Sequence, residues 1–195
     1  MLIAGVDEAG RGALAGPVVV AAVILPPAAG AGAELAMLTD SKQLTARQRE
    51  RLAPWIMRTA MAWHISEIDH QRIDAINILQ ATLAGMREAV LGLTVTPDQV
   101  QVDGNQVPEL ALPCVAIVGG DATVAAISAA SILAKTHRDR LMSALEHSHP
   151  GYGFARHKGY PTLLHKKALQ TLGPCAIHRR SYAPVRAVIQ SLAGT

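Results

Sequence analysis

The sequence predicts an α/β fold in which a mixed central sheet is flanked by helices. Short apolar runs typical of buried strands alternate along the chain with longer segments whose apolar residues recur at helical spacing. Of the 195 residues, 50% are hydrophobic, which is enough to build one sizeable core. Because only 3% are aromatic, that core must consist mainly of Ala, Val, Ile and Leu.

Strands are predicted first at residues 2–7 and 17–25, which we expect to pair as a hairpin. Both are apolar runs; Pro17 opens the second, and Pro26 and Pro27 end it. Later apolar or alternating runs predict further strands at 62–68, 100–103 and 114–118.

Four helices are predicted, over residues 46–60, 74–92, 121–147 and 162–172. Thr45 and Thr162 are suitable N-caps for the first and the last of them. In the second helix, residues at spacings of three and four form an apolar face: Ile76, Leu79, Leu83, Met86 and Val90. After residue 185 we expect only a short tail.

The loop after the first strand carries the first chemical signal. Asp7 and Glu8 place two carboxylates where a buried strand breaks, and carboxylate oxygens suit a hard ion such as Mg²⁺ or Mn²⁺. Gly10 and Gly12 permit a tight turn and close approach of a ligand to the backbone. Arg11 adds a planar hydrogen-bonding fork suited to phosphate. A surface turn with scattered charges would show the same pattern, so this loop alone does not decide between them.

Two further acids occupy matching positions. Asp103 ends a later strand as Asp7 ends the first, so the two meet at one edge of the sheet if those strands are neighbours. Asp121 opens the third helix, where it could close the site or simply favour the positive end of the helix as an N-cap. Glu8 points away from Asp7 if the strand stays regular and joins the site only if the chain turns there.

Four clustered carboxylates would repel one another and raise some of their own pKa values. Two divalent cations about 4 Å apart would remove that cost and activate a water against a phosphodiester. No histidine pair or cysteine pair in the sequence offers a competing zinc site. The acids therefore favour metal-assisted chemistry on a phosphate ester.

A row of polar side chains is predicted along the third helix. Asp121, Ser128 and Lys135 are seven residues apart, so they lie on one stripe of the helix, and Arg138 and Arg140 add positive charge beyond them. Such a stripe could lead from a metal site along a phosphate backbone.

Positive charge is concentrated in the last part of the chain. Residues 1–121 contain 13 acidic and 8 basic residues, whereas residues 122–195 contain 2 acidic and 10 basic residues. A basic segment of this kind attracts polyanions, of which nucleic acid is the commonest, although a solvated basic tail has the same composition. Lys42, just ahead of the first helix, is similarly either a phosphate contact or an ordinary exposed lysine.

Nothing in the composition indicates secretion or a membrane. The two cysteines make neither a disulfide framework nor a thiolate metal site. No apolar run is long enough for a transmembrane helix, and no basic segment precedes an apolar run at the N-terminus. We therefore expect a cytoplasmic protein, and a monomer, since no heptad pattern or large exposed apolar face suggests a dimer.

The motifs together make the chain resemble the ribonuclease HII family. The resemblance runs from about residue 2 to residue 185, and the full set of motifs in this order is very specific. The set comprises Asp7-Glu8-Ala9-Gly10-Arg11-Gly12, Asp40-Ser41-Lys42, Ile76-Asn77-Ile78-Leu79, Val102-Asp103-Gly104-Asn105, Gly120-Asp121, Ala129-Ala130-Ser131-Ile132-Leu133-Ala134-Lys135, Arg138-Asp139, Gly151-Tyr152-Gly153-Phe154 and His157-Lys158-Gly159-Tyr160.

This resemblance implies a ribonuclease H-like fold, with a catalytic domain over residues 1–148 and a small, basic, helical substrate-binding region over residues 149–195 packed on it. It implies an endonuclease that depends on Mn²⁺ or Mg²⁺ and hydrolyses the RNA strand of RNA/DNA hybrids. It also implies cleavage on the 5′ side of a single ribonucleotide embedded in duplex DNA, by a two-metal-ion mechanism that leaves 5′-phosphate and 3′-hydroxyl ends.

The resemblance also assigns roles to individual residues. The metal ligands and catalytic acids would be four carboxylates: Asp7, Glu8, Asp103 and Asp121. The ribonucleotide's 2′-hydroxyl and neighbouring phosphate would be contacted by the loop residues Gly10, Arg11 and Gly12. Tyr160 would pack against that sugar, with nearby Tyr152 as the alternative. Further substrate contacts are predicted for four polar side chains: Lys42, Asn105, Ser128 and Lys135.

Two alternatives stay open on the sequence alone. Another nuclease or recombinase of the same fold would use the same acids on DNA and ignore the 2′-hydroxyl, the group that distinguishes RNA from DNA at a given sugar. An RNA-binding protein whose carboxylates hold only a structural ion would have no cleavage activity. A duplex with one embedded ribonucleotide tests the first alternative, and the Asp103→Asn variant tests the second.

Overall fold

A mixed five-stranded sheet forms the centre of the molecule, with strand order β3-β2-β1-β4-β5. The computed structural model describes residues 1–27, 38 and 44–194. Within these residues the strands are β1 (Ile3–Ala9), β2 (Val18–Ile24), β3 (Ala62–Ile68), β4 (Gln99–Asp103) and β5 (Cys114–Ile117). The β1–β2 and β2–β3 pairs are antiparallel, whereas the β1–β4 and β4–β5 pairs are parallel.

Helices cover both faces of this sheet. The described helices are α1 (Ala46–Thr59), α2 (His70–Leu91), α3 (Ala125–Ser148), α4 (Phe154–His157), α5 (Leu163–Leu172) and α6 (Ala183–Ala193). Side chains of β2 alternate between the two layers, since Val19 and Ala21 pack with α1 and α3, whereas Val20 and Ala22 pack with α2. The fold class predicted from the sequence is therefore confirmed.

Close packing of α3 against β1 brings the start of this helix to the sheet edge. A β-carbon on Gly5 would overlap the backbone of Ala126, so only glycine permits this approach. Every residue from Ala126 to Ala134 is buried. The first half of α3 is thus enclosed on all sides and does not have the two-faced character that the sequence pattern suggested.

Several local predictions are confirmed. The strands predicted at 2–7 and 17–25 pair as a hairpin, and the strand at 100–103 lies directly beside the first. Thr45 caps α1 in a capping box with Gln48, and the Thr162 side chain accepts a hydrogen bond from the N–H of His165 at the start of α5. Among the described residues, no helix combines the length and the apolar character that crossing a membrane requires.

Other local predictions differ from the structure. Helix α2 begins at His70 rather than residue 74, and it kinks at Asn77, whose backbone has a φ of 66°. The Asn77 side chain accepts from the N–H of Gln80 and so caps the second part of the helix. Because the kink changes the helical phase, Ile76 is exposed instead of lying on the apolar face. The predicted C-terminal tail was wrong, since α6 occupies residues 183–193.

The segment that follows β1 is embedded in the C-terminal part of the chain. The Leu14 N–H donates to the carbonyl of Gly159 at 2.8 Å, and the Arg179 N–H donates back to the carbonyl of Leu14 at 2.8 Å. The N–H of Gly16 donates to the carbonyl of Ile177 at 2.9 Å. The segment directly after the Gly-Arg-Gly sequence is therefore held by backbone hydrogen bonds to residues of the C-terminal part of the chain.

Candidate active site

Three carboxylates meet at the end of the central strands. Asp7 and Asp103 follow Val6 and Val102, which are register partners on the parallel neighbours β1 and β4. Asp121 approaches from a 3-10 turn at Gly120–Ala122. One oxygen from each of the three carboxylates lies within 4.8 Å of the others, and Asp103 Oδ1 accepts from the Asp121 N–H at 3.3 Å.

Asp121 does not cap the helix that follows it. Helix α3 begins at Ala125 with Val124 as its N-cap, so the interpretation of Asp121 as the helix cap was wrong. The 3-10 turn instead holds the buried Asp121 carboxylate against Asp103. This geometry brings the Asp121 side chain to the sheet edge together with the two strand-end acids.

The buried carboxylate of Asp7 has a raised pKa. Its side chain is 4% exposed, and burial, followed by the negative charge of Glu8, raises its pKa from 3.8 to about 7. A hydrogen bond from Ser131 and the charge of Lys135 act in the opposite direction. Lys135 Nζ donates to Ser131 Oγ at 2.7 Å, so this pair supports Asp7 from α3. Without a bound cation, the charged form of Asp7 is therefore unfavourable. A cation bound beside this carboxylate would remove that cost, as expected for a metal site.

Glu8 lies on the other side of the strand from Asp7. Strand β1 stays regular through Ala9, so successive side chains alternate and the chain does not turn at Glu8. Three acids rather than four therefore form the compact group. Glu8 is still coupled to it, since burial, with a smaller contribution from the charge of Asp103, raises the Glu8 pKa against the opposing effect of Arg11.

The Gly-Arg-Gly loop begins one residue after β1. The half-exposed Arg11 side chain pairs with Glu8, with 3.4 Å between Nη1 and Oε1. Gly10 has a φ of 96°, and a β-carbon there would clash with the guanidinium of Arg138. Gly12 has no neighbouring heavy atom within 4 Å of the place a β-carbon would take. The loop thus has one tightly constrained glycine and one that faces open space.

Alanine substitutions of these two glycines make a matched pair of variants. Gly10→Ala is expected to lower the free energy of unfolding by about 3 kcal/mol, because it adds both backbone strain and a clash with Arg138. Gly12→Ala is expected to leave stability within about 0.5 kcal/mol of wild type, as at other open positions. Urea unfolding of both variants measures the difference, and equal destabilisation by the two would contradict this description of the loop.

Two buried arginines lie beneath this loop. Arg179 is 0% exposed and donates to the carbonyls of Gly10, Arg11 and Gly16 at 2.7, 2.9 and 3.0 Å. Arg138 is 1% exposed and donates to the carbonyls of Ala15, Pro17 and Lys158. From the sequence, Arg138 was predicted to extend a polar stripe on the third helix, and no role was predicted for Arg179. An arginine in a basic segment looks exposed on sequence grounds, and no local pattern reveals its burial.

The predicted stripe along α3 does not form at the surface. Ser128 is fully buried, and its hydroxyl donates to the carbonyl of Leu38. Lys135 is partly buried beside Ser131, and Arg140 pairs with Glu50 on α1. The prediction of a substrate contact for Ser128 is therefore corrected, because the enclosed first half of α3 turns that side chain into the core.

Among the described residues, the remaining predicted contacts differ in exposure and in their partners. Tyr160 is 39% exposed and stacks over the guanidinium of Arg138 at 5.3 Å. Tyr152 is 7% exposed and its hydroxyl donates to the carbonyl of Gly173, so it is a core side chain. Asn105 is exposed two residues beyond Asp103. Lys42 lies outside the described residues.

A chain of buried histidines ends at Tyr160. The N–H of Cys175 donates to His178 Nδ1 at 3.0 Å, and Nε2 of His178 lies 3.1 Å from Nε2 of His165. His165 Nδ1 contacts the carbonyl of Tyr160 at 3.0 Å. Burial lowers the pKa of His178 to about 4 and also lowers that of His165. The two histidines are thus neutral near pH 7 and connect the Tyr160 backbone to the backbone of Cys175.

Comparison with known proteins identifies the family of this chain. The family model for ribonuclease HII matches residues 4–185. Ribonuclease HII 2 of Methylibium petroleiphilum is 59% identical over 191 residues, which are 96% of this chain and 85% of that protein.

Solved structures of ribonucleases H share the fold. The crystal structure of ribonuclease H2 from Pyrococcus horikoshii OT3 matches with a TM-score of 0.83 and 26% identity over 100% of both chains. Bst-RNase HIII, solved in complex with Mn²⁺, matches with a TM-score of 0.75 and 18% identity over 100% of this chain and 71% of that one. The chain, with its carboxylates gathered at the end of β1 and β4, belongs to the ribonuclease HII family of endonucleases.

Proposed function

We propose that the protein is a metal-dependent endoribonuclease that hydrolyses the RNA strand of RNA/DNA hybrids and also cuts on the 5′ side of a single ribonucleotide embedded in duplex DNA. The products would carry 5′-phosphate and 3′-hydroxyl ends. One observation carries this proposal: the group formed by Asp7, Asp103 and Asp121 lies at the strand end from which the Gly-Arg-Gly loop leaves. A carboxylate of the acid group and the loop suited to contacting the sugar are thus joined in one short segment, and the other two acids lie next to it.

The acid group has the chemistry that a pair of Mg²⁺ or Mn²⁺ ions requires. Asp7, Asp103 and Asp121 would hold the ions, with Glu8 contributing from the other face of β1. All four offer hard carboxylate oxygens, and the raised pKa of buried Asp7 is the cost that a bound cation removes. When bound, the ions would supply an activated water and neutralise charge that develops on the phosphate. Ser131 and Lys135 would orient Asp7 from behind.

Recognition of the sugar would come from the Gly-Arg-Gly loop and Tyr160. The 2′-hydroxyl both donates and accepts hydrogen bonds, and main-chain groups can sense it without reading a base. Arg11 would pair with the neighbouring phosphate, and the half-exposed ring of Tyr160 would pack against the sugar. We therefore expect cleavage that does not depend on base sequence and binding that weakens with salt.

The basic C-terminal region, residues 149–195, would hold the duplex against the catalytic domain, residues 1–148. This proposal is supported by the region's charge, which suits a polyanion, and by its backbone hydrogen bonds to the segment that follows β1. Lys42 and Asn105 remain proposed contacts to the nucleic-acid backbone.

Cleavage of matched duplexes tests this function. The panel is a duplex with one embedded ribonucleotide, an RNA/DNA hybrid and an all-DNA duplex of the same sequence, each with Mg²⁺ or Mn²⁺. We expect cutting of the first two, with the cut in the first on the 5′ side of the ribose and no cut in the third. Equal cleavage of the all-DNA duplex would instead favour a DNA nuclease of the same fold.

A further inference from the structure

The orientation of the peptides in the Gly-Arg-Gly loop is fixed from inside the protein. Arg179 Nη2 donates to the carbonyl of Gly10 at 2.7 Å, and Nη1 donates to the carbonyl of Arg11 at 2.9 Å. Tyr182 adds a second donor, since its hydroxyl donates to the same Arg11 carbonyl at 2.6 Å. Two consecutive carbonyls of the loop therefore point into the protein.

Peptide geometry then decides what the loop offers on its outer side. In a planar trans peptide the N–H of a residue points opposite to the carbonyl of the residue before it. With the carbonyls of Gly10 and Arg11 turned inward, the N–H groups of Arg11 and Gly12 point away from Arg179. Neither N–H group donates to another residue that the structure describes. The outer side of the loop consequently presents hydrogen-bond donors.

The free-energy cost of burying the Arg179 guanidinium indicates that its hydrogen bonds to the loop do more than fill the core. The guanidinium is fully buried, and no carboxylate of the described residues lies within ion-pair distance of it. A buried charge that relies on carbonyl dipoles and on the hydroxyl and ring of Tyr182, without a carboxylate, is expensive compared with an apolar side chain of similar size. The planar guanidinium of Arg179 can, however, donate to two adjacent carbonyls at once, which a lysine cannot do with the same geometry.

We propose that Arg179 is a positioning residue that determines sugar specificity, because it fixes the loop in the one orientation that presents the Arg11 and Gly12 N–H groups to the ribose 2′-hydroxyl. Tyr182 shares this task through its contacts with both Arg179 and the Arg11 carbonyl. The proposal rests on the function proposed above, and it adds a residue far along the chain to the determinants of ribose selection.

The test compares binding of a duplex with one embedded ribonucleotide and of an all-DNA duplex, with Ca²⁺ in place of Mn²⁺ so that the duplexes stay intact. For Arg179→Lys we expect the preference for the ribonucleotide duplex to fall about tenfold or more, because the loop donors lose their alignment. Binding of the all-DNA duplex, and of Mn²⁺ measured by calorimetry, should stay within about twofold of wild type. Arg180→Lys is the matched control, since the neighbouring Arg180 is exposed and should keep the full preference.

Tyr182→Phe keeps the experiment decisive if Arg179→Lys does not fold. It removes the hydroxyl but leaves the guanidinium in place, and we expect the preference to fall about fivefold, the effect of one hydrogen bond. Full ribose preference in the folded variants, or an equal loss of binding to both duplexes, would overturn the role of Arg179. Absence of any preference in the wild-type protein would instead reject the proposed function itself.

Discussion

Asp103→Asn is expected to reduce cleavage of the single-ribonucleotide duplex by at least about 10³-fold, because several kcal/mol of transition-state stabilisation depend on bound metal. Asparagine keeps the size of the side chain and an oxygen that can accept from the Asp121 N–H. It removes the charge that Asp103 contributes to the three-acid group. Binding of an RNA/DNA hybrid is expected to be retained, since the proposed phosphate and sugar contacts lie elsewhere.

Single-turnover cleavage with Mn²⁺ and fluorescence anisotropy measure these two quantities separately. Asp98→Asn is the matched control, because Asp98 lies just ahead of the same strand and its carboxylate is exposed, where it accepts from the N–H of Leu2. This control should cleave as wild type does. Retention of a tenth or more of the wild-type rate in Asp103→Asn would show that the carboxylate is not part of the reaction, as in an RNA-binding protein with a structural ion.

Asp7→Asn is expected to stabilise the metal-free protein, by an amount that grows with pH. The folded state raises the pKa of Asp7 to about 7, so it holds a proton that the unfolded chain releases near pH 4. Stability of the wild type is therefore lost as pH rises from about 4 to about 7, by up to about 4 kcal/mol. Asparagine carries no charge to bury, so the variant does not suffer this loss.

Chemical unfolding in EDTA at several pH values measures the effect. The two proteins should have similar stability near pH 4, and the advantage of the variant should be complete above pH 7. Added Mn²⁺ should stabilise the wild type and leave the variant almost unchanged, because a ligand stabilises only the state that binds it. Glu109→Gln, which removes an exposed acid, controls for the change in net charge. A variant less stable than wild type at pH 8 without metal would contradict the electrostatic description of Asp7.

The sequence correctly predicted those features of the site that depend on local sequence pattern and on the direction of the strands. Asp7 and Asp103 each follow the apolar run of a strand, and the parallel pairing of those strands was enough to bring them to one edge. Asp121 followed from its place between a strand and a long helix, although the 3-10 turn that presents it has no sequence signature. Helix α6 was missed, but Pro184 near its start and the spacing of Val185, Val188 and Ile189 could have revealed it.

The side chains that were predicted wrongly or missed are those that become buried through tertiary contacts. Ser128 shares a helical stripe with Asp121 and Lys135, yet packing on every side of α3 turns it inward. Arg138 and Arg179 occupy a basic segment but donate to backbone carbonyls of a loop more than 120 residues earlier in the chain. Contacts of that kind depend on the completed fold and leave no periodicity in the sequence.

Anomalous scattering from crystals soaked in Mn²⁺ tests most directly whether the strand-end acids form a metal centre. We predict a manganese peak bounded by the carboxylates of Asp7, Asp103 and Asp121, and its disappearance in crystals of Asp7→Asn. A fully soaked wild-type crystal with no peak between those three side chains, or with manganese bound only elsewhere, would contradict the account.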